Sequence, residues 1–213
     1  MKKALLLIAL LVAITPIYSS AQQAGTFVGS VGLGIPSAQG DFSKSDLLSA
    51  GSGFGIEGEL RYYVLNGFAI GALGNWMRFG SSISTLSGRV SYNFDQLGAT
   101  ARLNLIPLSN GAIFINGGGG TFTPNVHYYV PDASVDFTAP KSGYFGFGGI
   151  GLTSQTHQKT LYELEFRYNI GRADISSSDF SLPGAYTTNV WDFFYVGFKL
   201  SFASKGKEAP ARY

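Results

Sequence analysis

Close to its C-terminal end the chain alternates large apolar residues with small or polar ones. From Phe194 to Phe202 every second residue is large and apolar, and the positions between them hold Tyr195, Gly197, Lys199 and Ser201. A period of two with one apolar face is the pattern of a β-strand that is exposed to water on one side only. The segment predicts either the last strand of a soluble β-sandwich or a strand of a barrel whose outer face meets lipid.

The N-terminal end has the pattern of a secretory signal peptide. Two lysines precede an apolar run over residues 4–14, and a small-x-small cleavage site ends at Ala21. This pattern predicts a signal peptide over residues 1–21 and a mature chain that begins at Gln22. The run is shorter than the roughly 20 apolar residues of a spanning helix, which argues against an uncleaved anchor. We therefore expect the protein to leave the cytoplasm.

The composition after the signal fits a β-barrel better than a helical membrane protein. No later segment reaches the roughly 18 consecutive apolar residues of a membrane helix. Gly accounts for 29 of the 213 residues, about twice its average usage of roughly 7%, while aromatic residues make up 15% and charged residues only 13%. Glycine within strands relieves crowding in a narrow lumen and allows bending.

Charge and cysteine content exclude further classes. The chain has 15 basic residues, two of them in the signal, against 13 acidic ones, so the mature chain is formally neutral. It lacks the basic stripe that phosphate binding needs, and we expect no nucleic-acid partner. The sequence contains no Cys, so neither a disulfide scaffold nor a lipoprotein anchor is available.

Eight segments have strand-like alternation, and each is close to the 9 to 11 residues that cross a bilayer at about 45° of tilt. They cover residues 26–35, 53–64, 68–79, 96–106, 112–123, 143–153, 161–170 and 190–202. The connections after the second, fourth and sixth are short, and Asn66-Gly67 is a strong hairpin signal. Those after the first, fifth and seventh are long and polar: residues 36–52, 124–142 and 171–189.

Short turns on one rim and long loops on the other are typical of outer-membrane barrels. The pattern therefore predicts an all-β fold, an eight-stranded antiparallel up-and-down transmembrane β-barrel. A ten-stranded barrel stays open as an alternative. Residues 89–95 and 126–130 could pair above the membrane or form another hairpin.

Charged residues recur on the polar face of several predicted strands. They are Glu57, Glu59, Arg61, Arg102, Glu163, Glu165, Arg167 and Lys199. An Arg or Lys on the lipid face costs about 2 to 4 kcal/mol near the midplane, so we expect these side chains to point into the lumen. Four acids and four bases predict a plugged interior rather than an ion pathway, because buried charges persist only when they are paired.

The second and seventh predicted strands share the motif Glu-x-Glu-x-Arg-Tyr, at residues 57–62 and 163–168. One strand runs inward and the other outward, so the acids of one approach the depth of the Arg of the other. This arrangement predicts that Arg61 faces Glu165. By the same reasoning, Arg167 should face Glu59.

The sequence gives little support for catalysis. The Gly-rich segment 146–151 has the spacing of a dinucleotide-binding loop, but it lies in a strand pattern with no helix after it. His127, in a predicted loop, could form a triad with Asp132 and Ser134, although an exposed loop histidine is the simpler interpretation. His127 and His157 lack the local spacing of a metal site. We therefore expect no enzyme, and no catalytic, cofactor-binding or metal-binding residues.

Four aromatic residues suit the belts that mark the two membrane interfaces of a barrel. They are Tyr62, Trp76, Tyr92 and Trp191. Ordinary packing in a core is the alternative for each of them.

The segment Tyr195-x-Gly197-x-x-Leu200-x-Phe202 resembles the C-terminal assembly signal of bacterial outer-membrane β-barrels. The whole pattern from Thr26 to Phe202 resembles the small outer-membrane β-barrel family that includes OmpX-like, OmpW-like and opacity-type proteins. Members of this family usually end at the terminal aromatic residue, whereas this chain continues with a short polar tail over residues 203–213.

The resemblance implies a barrel domain over residues 22–202, located in the bacterial outer membrane, with a periplasmic tail. It implies contact with outer-membrane lipid and lipopolysaccharide, insertion by the barrel assembly machinery, a monomeric state, and an unidentified extracellular ligand. The expected role is structural or interactive, through the surface loops. A passage for small or apolar solutes and a lipid-modifying activity are the alternatives.

Overall fold

The computed structural model describes residues 22–44, 50–82, 89–130, 133–138, 142–157, 160–176 and 187–204. The predicted signal peptide and residues 205–213 of the predicted tail lie outside the described residues. The cleavage site and the periplasmic position of the tail therefore stay predictions.

The described residues form one antiparallel sheet that closes on itself. In chain order its strands are β1 (Phe27–Ala38), β2 (Ala50–Leu65), β3 (Phe68–Ser82), β4 (Arg89–Leu108), β5 (Gly111–Val130), β6 (Ala133–Thr138), β7 (Gly143–His157), β8 (Thr160–Ser176), β9 (Thr187–Val190) and β10 (Phe193–Ala203). A single helical turn, α1 (Asp41–Lys44), follows β1. Closure is complete because β10 pairs with both β1 and β8.

Eight of these strands, β1 to β5, β7, β8 and β10, form the wall of the barrel. The other two extend neighbouring strands, because β6 pairs with the end of β5 and β9 with the end of β8. The predicted eight-stranded antiparallel up-and-down barrel is therefore confirmed. The ten-stranded alternative is wrong, since residues 89–95 pair with residues 123–129 as a direct continuation of β4 and β5.

Several strands run further than the alternation of the sequence predicts. His127 was expected in a long loop but lies in β5, and His157, expected in a short turn, is the last residue of β7. The alternation of apolar and polar residues ends where a strand leaves the lipid, whereas backbone pairing continues into water because it does not depend on side-chain polarity. At the other rim Gly67 closes the β2–β3 turn with a φ of 76°, a conformation that glycine adopts without steric cost.

The two faces of the wall differ in polarity. The outer face exposes large apolar side chains from all of the wall strands, among them Val31, Leu60, Ile70, Leu97, Ile115, Ile150, Phe166 and Phe198. The inner face buries polar and charged side chains. Such an apolar outer surface is unfavourable in water and agrees with the predicted transmembrane barrel. No helix in the described ranges is long and apolar enough to cross a membrane.

The Gly-rich strands β5 and β7, whose faces the sequence leaves open, can now be assigned. Gly117 and Gly119 face outward and pair with the outward glycines Gly148 and Gly146. On the inner face, the Phe147 ring covers Gly118, where an added Cβ would approach ring carbons at 2.8 Å. Glycine there makes room for an inward-pointing aromatic ring.

Candidate functional site

The lumen is the candidate functional site. Its lower half, by which we mean the half on the side of the short turns, contains the charge network. We use this name for Glu57, Glu59, Arg61, Arg102, Glu163, Glu165, Arg167 and Lys199, all of which are buried. They lie on β2, β4, β8 and β10, and all except Glu57, which is at mid-strand, are nearer to the rim of short turns than to the rim of long loops. The structure thus brings all eight sequence-predicted lumen residues together.

Lys199 is the centre of one part of the charge network. Its Nζ is 2.6 Å from Glu165 Oε2 and 3.0 Å from Glu59 Oε2, and it also forms an ion pair with Glu57. One ammonium group therefore links carboxylates from β2 and β8 across β10. Removing it would leave three buried carboxylates with less compensation.

A second part of the charge network centres on Glu163. Arg61 donates to both of its carboxylate oxygens, with Nη1 at 3.0 Å from Oε2, and Arg102 Nη1 lies 2.7 Å from Oε2. Ser201 Oγ donates to Oε1 at 2.8 Å and lies 2.7 Å from Ser30 Oγ. Because Ser30 belongs to β1 and Ser201 to β10, the bond between them crosses the seam where the first and last strands meet.

The pairing within the charge network differs from the sequence prediction. Arg61 pairs with Glu163 instead of Glu165, and Arg167 forms its short ion pair with Glu57 instead of Glu59. Strands of a closed barrel are tilted and staggered, so positions at equal depth are not the equivalent positions of a repeated motif. Both predicted partners are therefore displaced by one inward-facing position.

The upper half of the lumen holds a different structure, which we call the aromatic plug. It consists of Phe42, Phe79, Tyr92, Phe94, Phe122, Trp191 and Phe193, all buried. Phe42 extends from α1 into this cluster, with its ring centroid 5.2 Å from that of Trp191 and 5.5 Å from that of Phe94. Such separations are those of favourable aromatic pairs.

The aromatic plug corrects part of the belt prediction. Tyr92 and Trp191 point into the lumen, and Trp191 Nε1 donates to the Ala173 carbonyl at 3.3 Å. By contrast, Tyr62 is on the outer face. Position along the chain could not separate a belt residue from an inward one, because both occur near strand ends. The alternation within each strand, counted from its other inward positions, was the signal that could have assigned Tyr92 and Trp191 to the inner face.

Tyr195 lies where the charge network and the aromatic plug meet. The guanidinium carbon of Arg167 is 4.4 Å from its ring centroid, a cation–π distance. The ring lies against Gly34, Gly55 and Gly197, which lie opposite one another in one row across β1, β2 and β10. A Cβ at Gly197 would be 2.5 Å from Tyr195 Cε1. Glycine in this row lets an aromatic ring cover the barrel seam.

The residues of the predicted assembly signal are divided between the two faces of β10. Tyr195 and Gly197 face the lumen, whereas Phe202 is half exposed on the outer face and is paired with Gly29 of β1. Leu200 is also on the outer side. Their role in assembly stays a prediction.

Two of the three candidate triad residues, His127 and Ser134, lie on the neighbouring strands β5 and β6. In the observed register His127 is opposite Ser91 of β4 and Asp136 of β6, while Ser134 is opposite Tyr129. Asp132 lies outside the described residues. Within the part of the chain that the structure describes, no group of three His, Cys, Asp or Glu residues could hold a metal ion.

The fold is shared with solved barrels, although the sequence matches no family model and no curated protein. Ail, the attachment invasion locus protein of Yersinia pestis, aligns with a TM-score of 0.52 at 14% identity, over 85% of this chain and 100% of that chain. OprG from Pseudomonas aeruginosa gives a TM-score of 0.52 at 12% identity, over 89% of this chain and 100% of that one. Neisserial surface protein A gives 0.50 at 12% identity, over 85% and 99%. Ail has also been solved in complex with the heparin analogue sucrose octasulfate.

These identities are low, so the likeness concerns the fold. The fold is that of the small bacterial outer-membrane β-barrels. The closed wall, the apolar outer surface and the buried, paired charges inside agree with that class on physical grounds. The protein therefore has the fold of an outer-membrane β-barrel.

Proposed function

We propose that this barrel has a structural and surface-interaction role, with a plugged lumen and with ligand contacts made beyond the rim of long loops. The observation that carries the proposal is the filling of the lumen by the charge network and, above it, by the aromatic plug. An eight-stranded barrel has an interior just wide enough for side chains. Paired charges followed by packed rings leave such an interior poorly suited to ion flow.

The outward polar surface near the rim of long loops supports an interaction role. Ser91 accepts a long hydrogen bond from Arg78, and Asn125 donates one to Asp95, each at 3.4 Å. An extracellular ligand could bind to this surface. The heparin analogue bound to Ail makes a polyanionic ligand a reasonable first probe.

Conductance is the decisive test of the plugged lumen. The purified protein is first checked for folding by its heat-modifiable migration on a gel and then inserted into planar bilayers. We expect conductance near the baseline. A steady, large, ion-selective conductance from the unmodified protein would contradict the proposal and move the function to transport of small solutes.

Contacts with lipid, lipopolysaccharide and the barrel assembly machinery belong to the same proposal, as does a monomeric state. Phe202→Ala should lower the amount of folded barrel in the outer membrane, whereas removal of residues 205–213, which leaves β10 and its bonds to Phe27 complete, should not. If the truncation alone abolished insertion, the assembly signal would have to include the tail.

A second candidate function is hydrolysis of a lipid ester in the outer leaflet, with the row Ser91, His127 and Asp136 as the observation in its favour. The backbone register places His127 opposite Ser91 on one side and opposite Asp136 on the other. Ser, His and Asp in this order supply a nucleophile, a base and an orienting acid.

This candidate is tested by fatty-acid release from vesicles of phospholipid or lipopolysaccharide. Ser91→Ala should abolish release, and Ser52→Ala, at an exposed serine of β2, should leave it unchanged. No release above the rate of protein-free vesicles would remove the candidate.

A further inference from the structure

Gln22 is buried at the rim of short turns, where the first described residues cross the β2–β3 turn. Its carbonyl accepts a hydrogen bond from the Gly67 amide at 3.0 Å. Two residues later, the Ala24 amide donates to Asn66 Oδ1 at 2.9 Å. The segment is therefore held to the turn by its backbone, and Gln22 itself is fully buried.

The side-chain amide of Gln22 is not satisfied in this position. Within the described residues, neither Nε2 nor Oε1 has a hydrogen-bond partner. Burial of an amide without partners is unfavourable, and burial of an unpaired charge is more so. Cleavage after Ala21 would add such a charge, because Gln22 would then carry a free α-amino group.

We propose that Gln22 is the modified N-terminus of the mature protein, converted to pyroglutamate after removal of the signal peptide. The neutral α-amino nitrogen attacks the side-chain carbonyl carbon Cδ, and a new N–Cδ bond closes a five-membered lactam. The Cδ–Nε2 bond breaks, and Nε2 leaves as ammonia after taking one proton from the attacking nitrogen. The reaction needs no oxidant, reductant or other co-reactant.

Cyclisation removes the charge and reduces the number of unpaired polar groups without disturbing the observed contact. The lactam is uncharged and has no primary amide, so the N-terminus can be buried at a lower cost. The backbone carbonyl of Gln22 does not take part and keeps its hydrogen bond from Gly67. Because the residue is buried in the folded barrel, cyclisation precedes folding of this segment.

The test is the intact mass of the mature protein purified from outer membranes of cells that express the full chain. We expect the mass of residues 22–213 less one molecule of ammonia, complete in fresh samples and constant on storage. Three results would overturn the proposal: a mass that retains the ammonia, a different first residue, or a loss of ammonia that begins near zero and grows on storage. The inference rests on cleavage after Ala21, which the same mass reports separately.

Succinimide formation at Asn66-Gly67 or Asn110-Gly111 would also release ammonia, so the site must be located. Fragmentation of the tryptic N-terminal peptide should assign the loss to Gln22, and the Gln22→Ala protein should show the full mass of its open N-terminus. Loss of ammonia from Gln22→Ala, or its assignment to an Asn-Gly pair, would overturn the proposal. The conductance and fractionation of Gln22→Ala should match those of the wild type, so the surface-interaction role is judged independently.

Discussion

The charge network and the aromatic plug occupy the same lumen but fill it by different physical means. In the charge network, each group is tolerated because specific partners compensate it, as Glu163 is compensated by Arg61 and Arg102. In the aromatic plug, rings such as Phe94 and Phe42 are held by shape and burial. The contribution of the lower half to stability should therefore depend on the chemical identity of each residue. That of the upper half should depend mainly on the volume of each side chain.

The largest effect should follow removal of Lys199. Lys199→Ala takes away the ammonium that links Glu57, Glu59 and Glu165, and breaking a buried ion pair typically costs about 3 to 5 kcal/mol, less where water enters. We expect a loss of that order in the free energy of unfolding, measured by urea titration of the barrel in detergent or lipid. Phe198→Ala, at the neighbouring outward position, is the control and should cost less because lipid replaces the ring.

The aromatic plug should respond nearly as strongly to truncation but should tolerate a change of shape. Phe94→Ala should cost about 3 kcal/mol, as cavities in packed cores do. Phe94→Leu should cost less than about 2 kcal/mol, whereas Lys199→Met should remain as damaging as Lys199→Ala. Equal tolerance of Phe94→Leu and Lys199→Met in the same titration would abolish the distinction between the two halves.

The sequence predicts the wall better than it predicts the lumen. Alternation in β2 and β8 is sufficient to assign inward faces to Glu57 and Glu163, because the strand period is two. Alternation does not predict how far along the barrel axis a side chain lies, because that position depends on the tilt and stagger that closure imposes. For this reason the repeated motif predicts Glu165 as the partner of Arg61, whereas the structure shows Glu163. The aromatic plug is not predicted for a related reason: Trp191 stands at the start of the alternating segment 190–202, close to a strand end, where a belt residue is also expected.

The boundary between the two halves should be sensitive to added volume. Gly34→Ala places a Cβ against the ring of Tyr195, which is itself buried between Arg167 and the glycine row. Overpacking of this kind costs about 1 to 3 kcal/mol. Gly29→Ala, on the same strand, is the matched control, since its Cβ would meet nothing within 4 Å. Equal unfolding free energies for the two variants would show that the ring moves freely.

The smallest and most specific effect is the coupling inside the charge network, which a double-mutant cycle measures. Arg61 and Glu163 share two hydrogen bonds, and coupled residues of this kind show interaction energies of about 0.5 to 3 kcal/mol. Arg61→Ala and Glu163→Ala should each destabilise the barrel, and the double variant should cost less than their sum, because each single variant leaves its partner buried without compensation.

The cycle of Arg61 with Glu165 is the control, because Glu165 is paired instead with Lys199 and Arg167. Its coupling should be clearly smaller, although Lys199 and Glu59 connect the two residues indirectly. A larger coupling for Arg61 with Glu165 than with Glu163 would restore the pairing that the repeated motif predicts and would contradict the stagger of the barrel. Additivity in both cycles would mean that lumenal water screens these charges, and the charge network would then fill the lumen without holding its strands together.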